Sequence, residues 1–295
     1  MPSTPVPEAG SLRAVLGPRA VLGPRAVLGL QSPRLVATDL DGTLLRSDGS
    51  VSVRTRAALA AVEAVGIHTV LVTARPPRWL DELESVVGSG GIALCGNGAF
   101  VYDVPRREVL SHQGIGPEVL AGIVADLRRE LPGMGFAAER ASGFGYEQGY
   151  ASPHEIPRDA VCGPIEELGD EPVGKLLGRL PTMPESQFLD AVARVVGDRG
   201  IVAYSGAGGL AEISAPGVTK AAALANWCVG LGVEAADVWA FGDMPNDLPM
   251  LAWAGTSFAV ANGHPDVLDL ADHTCPANDE DGVAQMLETL VAQRH

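Results

Sequence analysis

Two aspartates directly follow a short apolar run near the start of the chain. The segment LVATDLDGTLL, residues 35–45, carries Asp39 and Asp41 one residue apart, ahead of Gly-Thr. The apolar run is typical of a buried strand. Burying a carboxylate at the end of such a strand costs free energy unless the carboxylate binds a partner. The pair therefore indicates a site that handles a cation or a reacting group.

Further polar side chains end two other apolar runs. Thr73 and Arg75 follow the run VLV, and the segment VWAFGDMPND ends with Asp243, Asn246 and Asp247. In an open α/β sheet, ligands bind just beyond the carboxyl ends of the strands. We therefore expect these side chains to meet Asp39 and Asp41 in one cleft.

The carboxylates of this cleft would repel one another. At about 4 Å, a like-charged pair costs roughly 1 kcal/mol in water and roughly 4 kcal/mol near a protein surface. A bound cation or raised pKa values would relieve that repulsion, and ligands that are all oxygen favour Mg²⁺ over zinc. An EF-hand is excluded, because Leu44 and Ser50 stand where that loop needs Gly and Glu.

Lys220 opens a predicted helix in PGVTKAAALANW. A cation in the first helical turn opposes the helix dipole, whereas the same turn is a ready site for an anion. A phosphate group bound beside Lys220 would make the lysine charge favourable at this end of the helix. The alternative is a solvated surface lysine.

The elements that must position these residues alternate between strand and helix. Strands are predicted in RLVATDL, IHTVLVTA, GIALCGNGAFVYD, DVWAFGD and TSFAVA. Helices are predicted in SVRTRAALAAVEAVG, PPRWLDELESVVG, KAAALANWCVGLG, DLPMLAWAG and DGVAQMLETLVAQ. Ser52 is the predicted N-cap of the first helix, and Gly66 closes it. This alternation predicts an α/β fold with a Rossmann-like parallel sheet covered on both faces.

The chain divides into three parts by its sequence character. Residues 1–32 contain RAVLGP RAVLGP RAVLGL and are predicted to be a flexible tail, or sequence upstream of the functional start. Residues 33–110 and 211–295 form the predicted core domain. Residues 111–210 hold the helices PEVLAGIVADLRRE and ESQFLDAVARVVGD and the strand KLLGRL. We predict that they form a smaller α/β domain inserted into the core.

Four of these segments, in this order, resemble the four motifs of the haloacid dehalogenase superfamily. They are DLDGT, VLVTAR, the helix that begins at Lys220, and GDMPND. The forms FGDMPNDLPML, NGA and ANDEDGVAQML are similar to those of its Cof-type phosphatases, in which a large α/β cap is inserted between the second and third motifs. The resemblance covers roughly residues 34–293 and excludes the tail.

The resemblance implies a Mg²⁺-dependent phosphatase with two catalytic aspartates. Asp39 would attack phosphorus and become an aspartyl phosphate. Asp41 would protonate the leaving oxygen and then take a proton from the hydrolytic water. Such phosphatases often carry T-G-R at the second motif, where this chain has Thr73-Ala74-Arg75. The extra methyl group of Ala74 would tighten the site.

The resemblance also implies a set of metal ligands and a set of phosphate contacts. The metal would be held by two carboxylates and one backbone carbonyl with two adjoining residues in support: Asp39, Asp243, the carbonyl of Asp41, Asn246 and Asp247. The phosphoryl oxygens would be held by Thr73 and Lys220, with Asn97 and Arg75 as further candidates.

Each of these residues also has a structural alternative. Asp39 and Asp41 are common types in a turn after a strand, Asp243 with its neighbours would suit a helix cap, and Asn97 would suit a turn. In the segment SGFGYEQGYASPHE, four side chains are within reach of a substrate unless the segment is an ordinary exposed loop: Tyr146, Glu147, Tyr150 and His154.

The predicted function is hydrolysis of a small phosphorylated metabolite, for example a sugar phosphate. A phosphomutase or phosphotransferase would use the same aspartyl phosphate. A dinucleotide-binding oxidoreductase is a weaker alternative, since GNGAFV begins G-x-G but has Val101 at the third glycine position. A non-catalytic binding protein on the same scaffold would have little reason to keep the acidic residues.

Composition limits the class of partner. The formal net charge of −15 argues against nucleic-acid and anionic-membrane partners, and no apolar run is long enough to predict a transmembrane helix. The four cysteines form no C-x-x-C and are expected to be buried thiols in a reducing compartment, which predicts a cytoplasmic protein. The sequence makes no prediction of the oligomeric state.

Overall fold

The computed structural model describes residues 29–83, 91–152, 154–203 and 209–294. The predicted tail lies outside these ranges up to residue 28 and stays a prediction. In chain order the strands are β1 (Leu35–Thr38), β2 (His68–Val72), β3 (Ile92–Cys95), β4 (Phe100–Asp103), β5 (Glu108–His112), β6 (Gly135–Arg140), β7 (Gly143–Tyr146), β8 (Val161–Cys162), β9 (Lys175–Arg179), β10 (Ile201–Ala203), β11 (Leu210–Ser214), β12 (Val238–Gly242), β13 (Thr256–Val260) and β14 (His273–Cys275).

Seven α-helices lie within the described residues and connect or cover these strands. They are α1 (Val53–Ala64), α2 (Pro117–Glu130), α3 (Glu185–Val196), α4 (Lys220–Leu231), α5 (Leu248–Trp253), α6 (Pro265–Leu270) and α7 (Gly282–Ala292). The side chain of Ser52 accepts a hydrogen bond from the Thr55 N–H and caps α1, as predicted. Thr219 caps α4 in the same way, by accepting from the Ala222 N–H, and thereby fixes where Lys220 enters the helix.

The larger sheet has eight strands in the order β14-β13-β12-β1-β2-β3-β4-β5. Its strands pair in parallel from β14 to β3, and β4 and β5 extend it in antiparallel fashion. Strand β1 lies between β12 and β2, with Thr38 opposite Phe241 on one side and Leu71 on the other. The carboxyl ends of these three strands are therefore neighbours at one edge of the sheet.

The larger sheet buries apolar side chains on both faces. Val36 of β1 belongs to a core that includes residues of α1 and α7. Its neighbours Leu35 and Ala37 belong to a second core with residues of α4 and α5. Successive side chains of a strand point to opposite faces, so the sheet is covered on both sides, and the predicted α/β fold is confirmed.

The smaller sheet has six strands in the order β10-β11-β9-β6-β7-β8. One face packs Phe136, Leu176 and Ile213 against apolar residues of α2 and α3. The opposite face carries no helix of the described residues and borders a cleft above the larger sheet. Strand β11 extends this sheet to Ser214, past the boundary at residue 210 that the sequence suggested.

One predicted helix is wrong where the structure describes it. Instead of a continuous helix in PPRWLDELESVVG, the chain forms two short 3₁₀ turns, Pro77–Trp79 and Asp81–Leu83. Leu80 and Leu83 are both buried, and a spacing of three residues places them on one side of a 3₁₀ turn. Residues 84–88 of the predicted helix lie outside the described residues.

Two smaller expectations can be compared with the structure. Cys95, Cys228 and Cys275 are buried free thiols, as predicted, whereas Cys162 is exposed on the edge strand β8, so the prediction of burial is wrong there. No helix in the described ranges combines the length and apolar character that crossing a bilayer would require.

Candidate active site

A cavity of about 660 Å³ lies between the two sheets. Its floor consists of residues at the carboxyl ends of β1, β2 and β12: Asp39, Asp41, Thr73, Ala74, Arg75, Asp243, Met244 and Asn246. Its roof consists of residues on the helix-free face of the smaller sheet: Glu139, Phe144, Lys175, Leu177, Leu210 and Glu212. The cavity therefore brings together side chains from three regions of the chain: the part before the smaller sheet, the smaller sheet itself and the part after it.

Asp39 is buried at the end of β1 and forms an ion pair with Lys220. The Lys220 Nζ donates to Asp39 Oδ1 at 2.6 Å and to Asp247 Oδ1 at 2.6 Å. Burial raises the pKa of Asp39 well above its ordinary value, and Lys220 offsets only part of this effect. Burial alone would lower the pKa of Lys220, but the carboxylates of Asp247 and Asp39 outweigh it and raise that pKa. The charged form of Lys220 is therefore favoured beside Asp39.

Asp247 is fully buried and holds the loop after β12 in place. Its Oδ2 accepts the backbone N–H groups of Asp243 and Met244, both at 3.0 Å, while its Oδ1 accepts from Lys220. A Cβ atom on Gly242 would lie 2.6 Å from the Cβ of Asp247, so only glycine allows this approach. Both oxygens of Asp247 are thus engaged by the protein itself.

Asp243 follows β12 and is held by a residue that we did not predict. Thr43 Oγ1 donates to Asp243 Oδ1 at 2.9 Å. Burial, followed by the charge of Asp247, raises the pKa of Asp243 to about 6. The sequence signal for Thr43 was its place in DLDGT, directly after Gly42. Gly42 has φ +80°, and a Cβ atom there would lie 2.3 Å from Asp243 Oδ2.

The acidic residues of the floor fit a divalent cation. Carboxylate oxygens of Asp39, Asp243 and Asp247 lie within 4.8 Å of one another. Asp39 and Asp243 each use only Oδ1 in the side-chain hydrogen bonds of the described residues, so one oxygen of each stays open to a cation. Hard oxygen donors of this kind suit Mg²⁺. Asp247, with both oxygens engaged, is better placed to support the site than to ligate.

Asp41 projects into the cavity and is held by Arg75. Arg75 donates from Nε to Asp41 Oδ2 at 2.8 Å and from Nη2 to Oδ1 at 2.6 Å. The Asp41 side chain is 57% exposed, so the ion pair is open to the cavity. The hydrogen bonds with Asp41 raise the pKa of Arg75. Arg75 thus lies in the site, but its guanidinium faces Asp41, and its predicted contact with phosphate stays a prediction.

Thr73 and Asn97 lie on two connected loops at the floor. The buried Thr73 Oγ1 accepts the Arg75 N–H at 3.1 Å, and its carbonyl accepts the Asn97 N–H at 2.9 Å. Asn97 has φ +59°, a left-handed conformation that asparagine tolerates better than most residues. Asn97 Oδ1 in turn accepts from Asn246 Nδ2 at 3.3 Å. These contacts join the loops after β2, β3 and β12.

The roof carries buried charges that the sequence analysis missed. Glu139 accepts two hydrogen bonds from Arg78, at 3.2 and 2.7 Å, and Glu212 forms an ion pair of 2.7 Å with Lys175. The sequence did contain a pattern that could have placed them in the cavity. Residues two apart in a strand lie on the same face, so Lys175 shares a face with cavity-lining Leu177, and Glu212 shares one with cavity-lining Leu210. Nothing in the sequence indicated which charges would pair.

Aromatic side chains complete one wall of the cavity. The Arg78 guanidinium lies 4.8 Å from the ring centroids of both Trp79 and Phe144, and Trp79 contacts His154 edge to face at 4.8 Å. Tyr150 and His154, two of the residues predicted to be within reach of a substrate, line the cavity.

The other two residues of that prediction have different surroundings. Glu147 is paired with Arg128 of α2. Tyr146 stacks on Phe144 at the end of β7.

Comparison with known proteins gives three kinds of match. Residues 36–287 match the family model described as haloacid dehalogenase-like hydrolase. The protein YxeH of Bacillus subtilis (strain 168) is 30% identical over 279 residues, covering 88% of this chain and 98% of YxeH. The 5-amino-6-(5-phospho-D-ribitylamino)uracil phosphatase YitU of the same organism is 28% identical over 268 residues, covering 87% of this chain and 97% of YitU.

Solved structures share the fold. BT1666 from Bacteroides thetaiotaomicron, described among phosphatases of the haloalkanoate (HAD) enzyme superfamily, has a TM-score of 0.74 at 23% identity. The match covers 88% of this chain and 95% of BT1666. At this identity the likeness shows a common fold for both sheets together and no more.

Proposed function

The chain belongs to the haloacid dehalogenase-like hydrolases and is a phosphoric monoester hydrolase, and from this premise we propose that it is a Mg²⁺-dependent phosphatase of a small phosphorylated metabolite that acts through an aspartyl-phosphate intermediate. One observation supports this most strongly. Asp39 lies at the floor of the cavity with Lys220 2.6 Å behind it and Asp41 beside it in sequence. This combination provides a nucleophile, a fixed positive charge and a second carboxyl group.

In the proposed first step, an Asp39 carboxylate oxygen attacks phosphorus and forms the acyl-phosphate bond. The bond between phosphorus and the ester oxygen breaks, and the departing oxygen takes a proton from the Asp41 carboxyl group. Asp41 suits this role because its side chain is exposed in the cavity, whereas Asp39 is buried. Lys220 limits the repulsion between Asp39 and the incoming phosphate dianion.

In the second step, water attacks the aspartyl phosphate while Asp41, now ionised, accepts a proton from it. Phosphate leaves and the Asp39 carboxylate is restored. The Thr73 hydroxyl and Lys220 are the proposed contacts for the phosphoryl oxygens, whose charge grows in the transition state. Asp39 and Asp243 would hold Mg²⁺, with the Asp41 carbonyl as a further ligand. The cation would supply additional stabilisation of that charge.

The proposed substrate is small because the smaller sheet lies over the cavity and limits its size. A volume of about 660 Å³ accommodates a metabolite, and the Arg78–Glu139 pair and the aromatic wall offer both hydrogen bonds and apolar contact. YitU is named for a substrate in which a uracil ring carries a ribitylamino chain that is phosphorylated at its 5 position. We propose a substrate of comparable size, such as a phosphorylated sugar or polyol.

Release of inorganic phosphate from a panel of phosphorylated metabolites, with Mg²⁺ and with EDTA, tests the proposal. We expect Mg²⁺-dependent release from a few esters and none above background from the Asp39→Asn variant. Asp198→Asn, which changes an exposed aspartate after α3, is the matched control and should retain full activity. Phosphate release by a folded Asp39→Asn variant at the wild-type rate would refute the mechanism.

A further inference from the structure

Lys175 reaches from the smaller sheet to a loop of the larger one. It begins β9, and its Nζ donates to the backbone carbonyl of Ala74 at 2.8 Å and to Glu212 Oε2 at 2.7 Å. The Lys175 residue is only 3% exposed and Glu212 only 7%. The contact with Ala74 is therefore a partly buried, charge-assisted hydrogen bond between two sheets, a type stronger than a hydrogen bond between neutral groups.

Ala74 lies between the two residues of its loop that carry chemistry. The N–H of Arg75 donates to the Thr73 hydroxyl at 3.1 Å, across Ala74. The Arg75 carbonyl accepts from the Gly96 N–H at 2.8 Å, and its guanidinium holds Asp41. A displacement of the Ala74 carbonyl would therefore move the Thr73 hydroxyl and the arginine that orients Asp41.

Stability alone gives no reason for the buried pair of Lys175 and Glu212. Removing two charges from water costs about as much as their attraction returns, and apolar side chains of similar volume are often equally stable. An apolar residue at position 175 would leave the Ala74 carbonyl without this donor. The property that only a long cationic side chain provides here is the contact with the loop.

We propose that Lys175 is a positioning residue, which holds the Thr73–Arg75 loop from the opposite sheet in the geometry that binds the phosphoryl group. The inference rests on the proposed function, because it deepens the account of the same site. It implies that the smaller sheet contributes to phosphate binding itself, and not only to recognition of the leaving group. Affinity for inorganic phosphate, which has no leaving group, should therefore depend on Lys175.

Three variants separate this role from a purely structural one. Glu212→Gln breaks the ion pair but leaves the lysine to donate to Ala74. The double variant Lys175→Met with Glu212→Gln removes both charges together, so that no carboxylate is left buried without a partner. Lys175→Gln shortens the side chain and removes the positive charge, so the charge-assisted hydrogen bond to the Ala74 carbonyl is lost. Circular dichroism and thermal unfolding identify the folded variants.

The measurement is the affinity for inorganic phosphate in the presence of Mg²⁺, by calorimetry and by competition with ester hydrolysis. We expect Glu212→Gln to bind phosphate within about twofold of the wild type. The double variant and Lys175→Gln should bind it roughly tenfold or more weakly and show a lower kcat, since small misplacements of contact groups have effects of this size. If one of these two variants does not fold, the other decides.

The proposal is overturned if the variants that lack the lysine bind phosphate as well as Glu212→Gln does and lose only affinity for the ester. Lys175 would then act on the leaving group alone. Failure of the proposed function gives a different result, because the wild-type protein itself would neither bind inorganic phosphate nor release it from any ester.

Discussion

Arg75 donates two hydrogen bonds to the carboxylate of Asp41, from Nε at 2.8 Å and from Nη2 at 2.6 Å. The two residues belong to different loops, after β1 and after β2, and meet only because these strands are neighbours. The planar guanidinium fixes both the position and the plane of the carboxylate. Arg75 thus orients Asp41 before a substrate enters, and one of the two hydrogen bonds must be released when Asp41, the proposed acid, carries the proton that it donates.

The first prediction follows from this geometry. Arg75→Lys keeps the positive charge but cannot form the two parallel hydrogen bonds, so Asp41 should lose its fixed orientation. We expect kcat to fall about tenfold or more, with the melting temperature little changed because the pair is partly exposed. Arg106→Lys, which changes a 74% exposed side chain paired with Asp103, is the control. Steady-state kinetics on both variants make the comparison, and equal kcat values would contradict the role of Arg75.

The second prediction concerns the buried ion pairs of Lys220. Lys220→Met would leave Asp39 and Asp247 buried without their cation, which costs about 3–5 kcal/mol for a broken buried pair. We expect a loss of unfolding free energy of that size in urea denaturation, together with loss of activity. Arg54→Met breaks the exposed pair with Glu288, whose side chains are 43% and 44% exposed, and should cost about 1 kcal/mol or less. Similar losses for the two variants would contradict the burial argument.

The third prediction concerns the close approach of Gly42 to Asp243. Gly42→Ala adds a Cβ atom that would lie 2.3 Å from Asp243 Oδ2, so the proposed cation ligand must move. We expect the Mg²⁺ concentration for half-maximal activity to rise about tenfold or more. Gly49→Ala is a matched control, because Gly49 has nearly the same φ, +79°, and open space around it. It should lose only about 1 kcal/mol of stability from backbone strain, with the Mg²⁺ dependence unchanged.

The fourth prediction is a pH dependence of stability in the protein freed of metal by EDTA. Burial raises the pKa of Asp243 from 3.8 to about 6, so between these values the folded state binds more protons than the unfolded state. The contribution of this group to the unfolding free energy therefore falls as pH rises through that window. We expect Asp243→Asn to lose this part of the pH dependence and to gain stability relative to the wild type above pH 6. Urea denaturation at several pH values measures it, and an unchanged slope in the variant would contradict the assignment.

Most of the candidate residues could be placed together from the sequence because each adjoins one end of a predicted secondary-structure element. The run before Asp39, the predicted helix that begins at Lys220 and the segment that ends in Asp247 each fix a local conformation through short-range patterns. The parallel order of the sheet then brings these ends together, which is why the cleft could be predicted without coordinates.

The tertiary structure alone decided which charged groups pair. Arg75 with Asp41, Arg78 with Glu139, and Lys175 with Ala74 and Glu212 join segments that are 34 to 101 residues apart. Sequence periodicity cannot predict pairing between segments so far apart, because strand and helix patterns indicate only which face of an element a side chain occupies. The same reason explains the wrong helix at residues 77–83, where contacts of Arg78 with the opposite sheet accompany a tighter turn than local preference indicated.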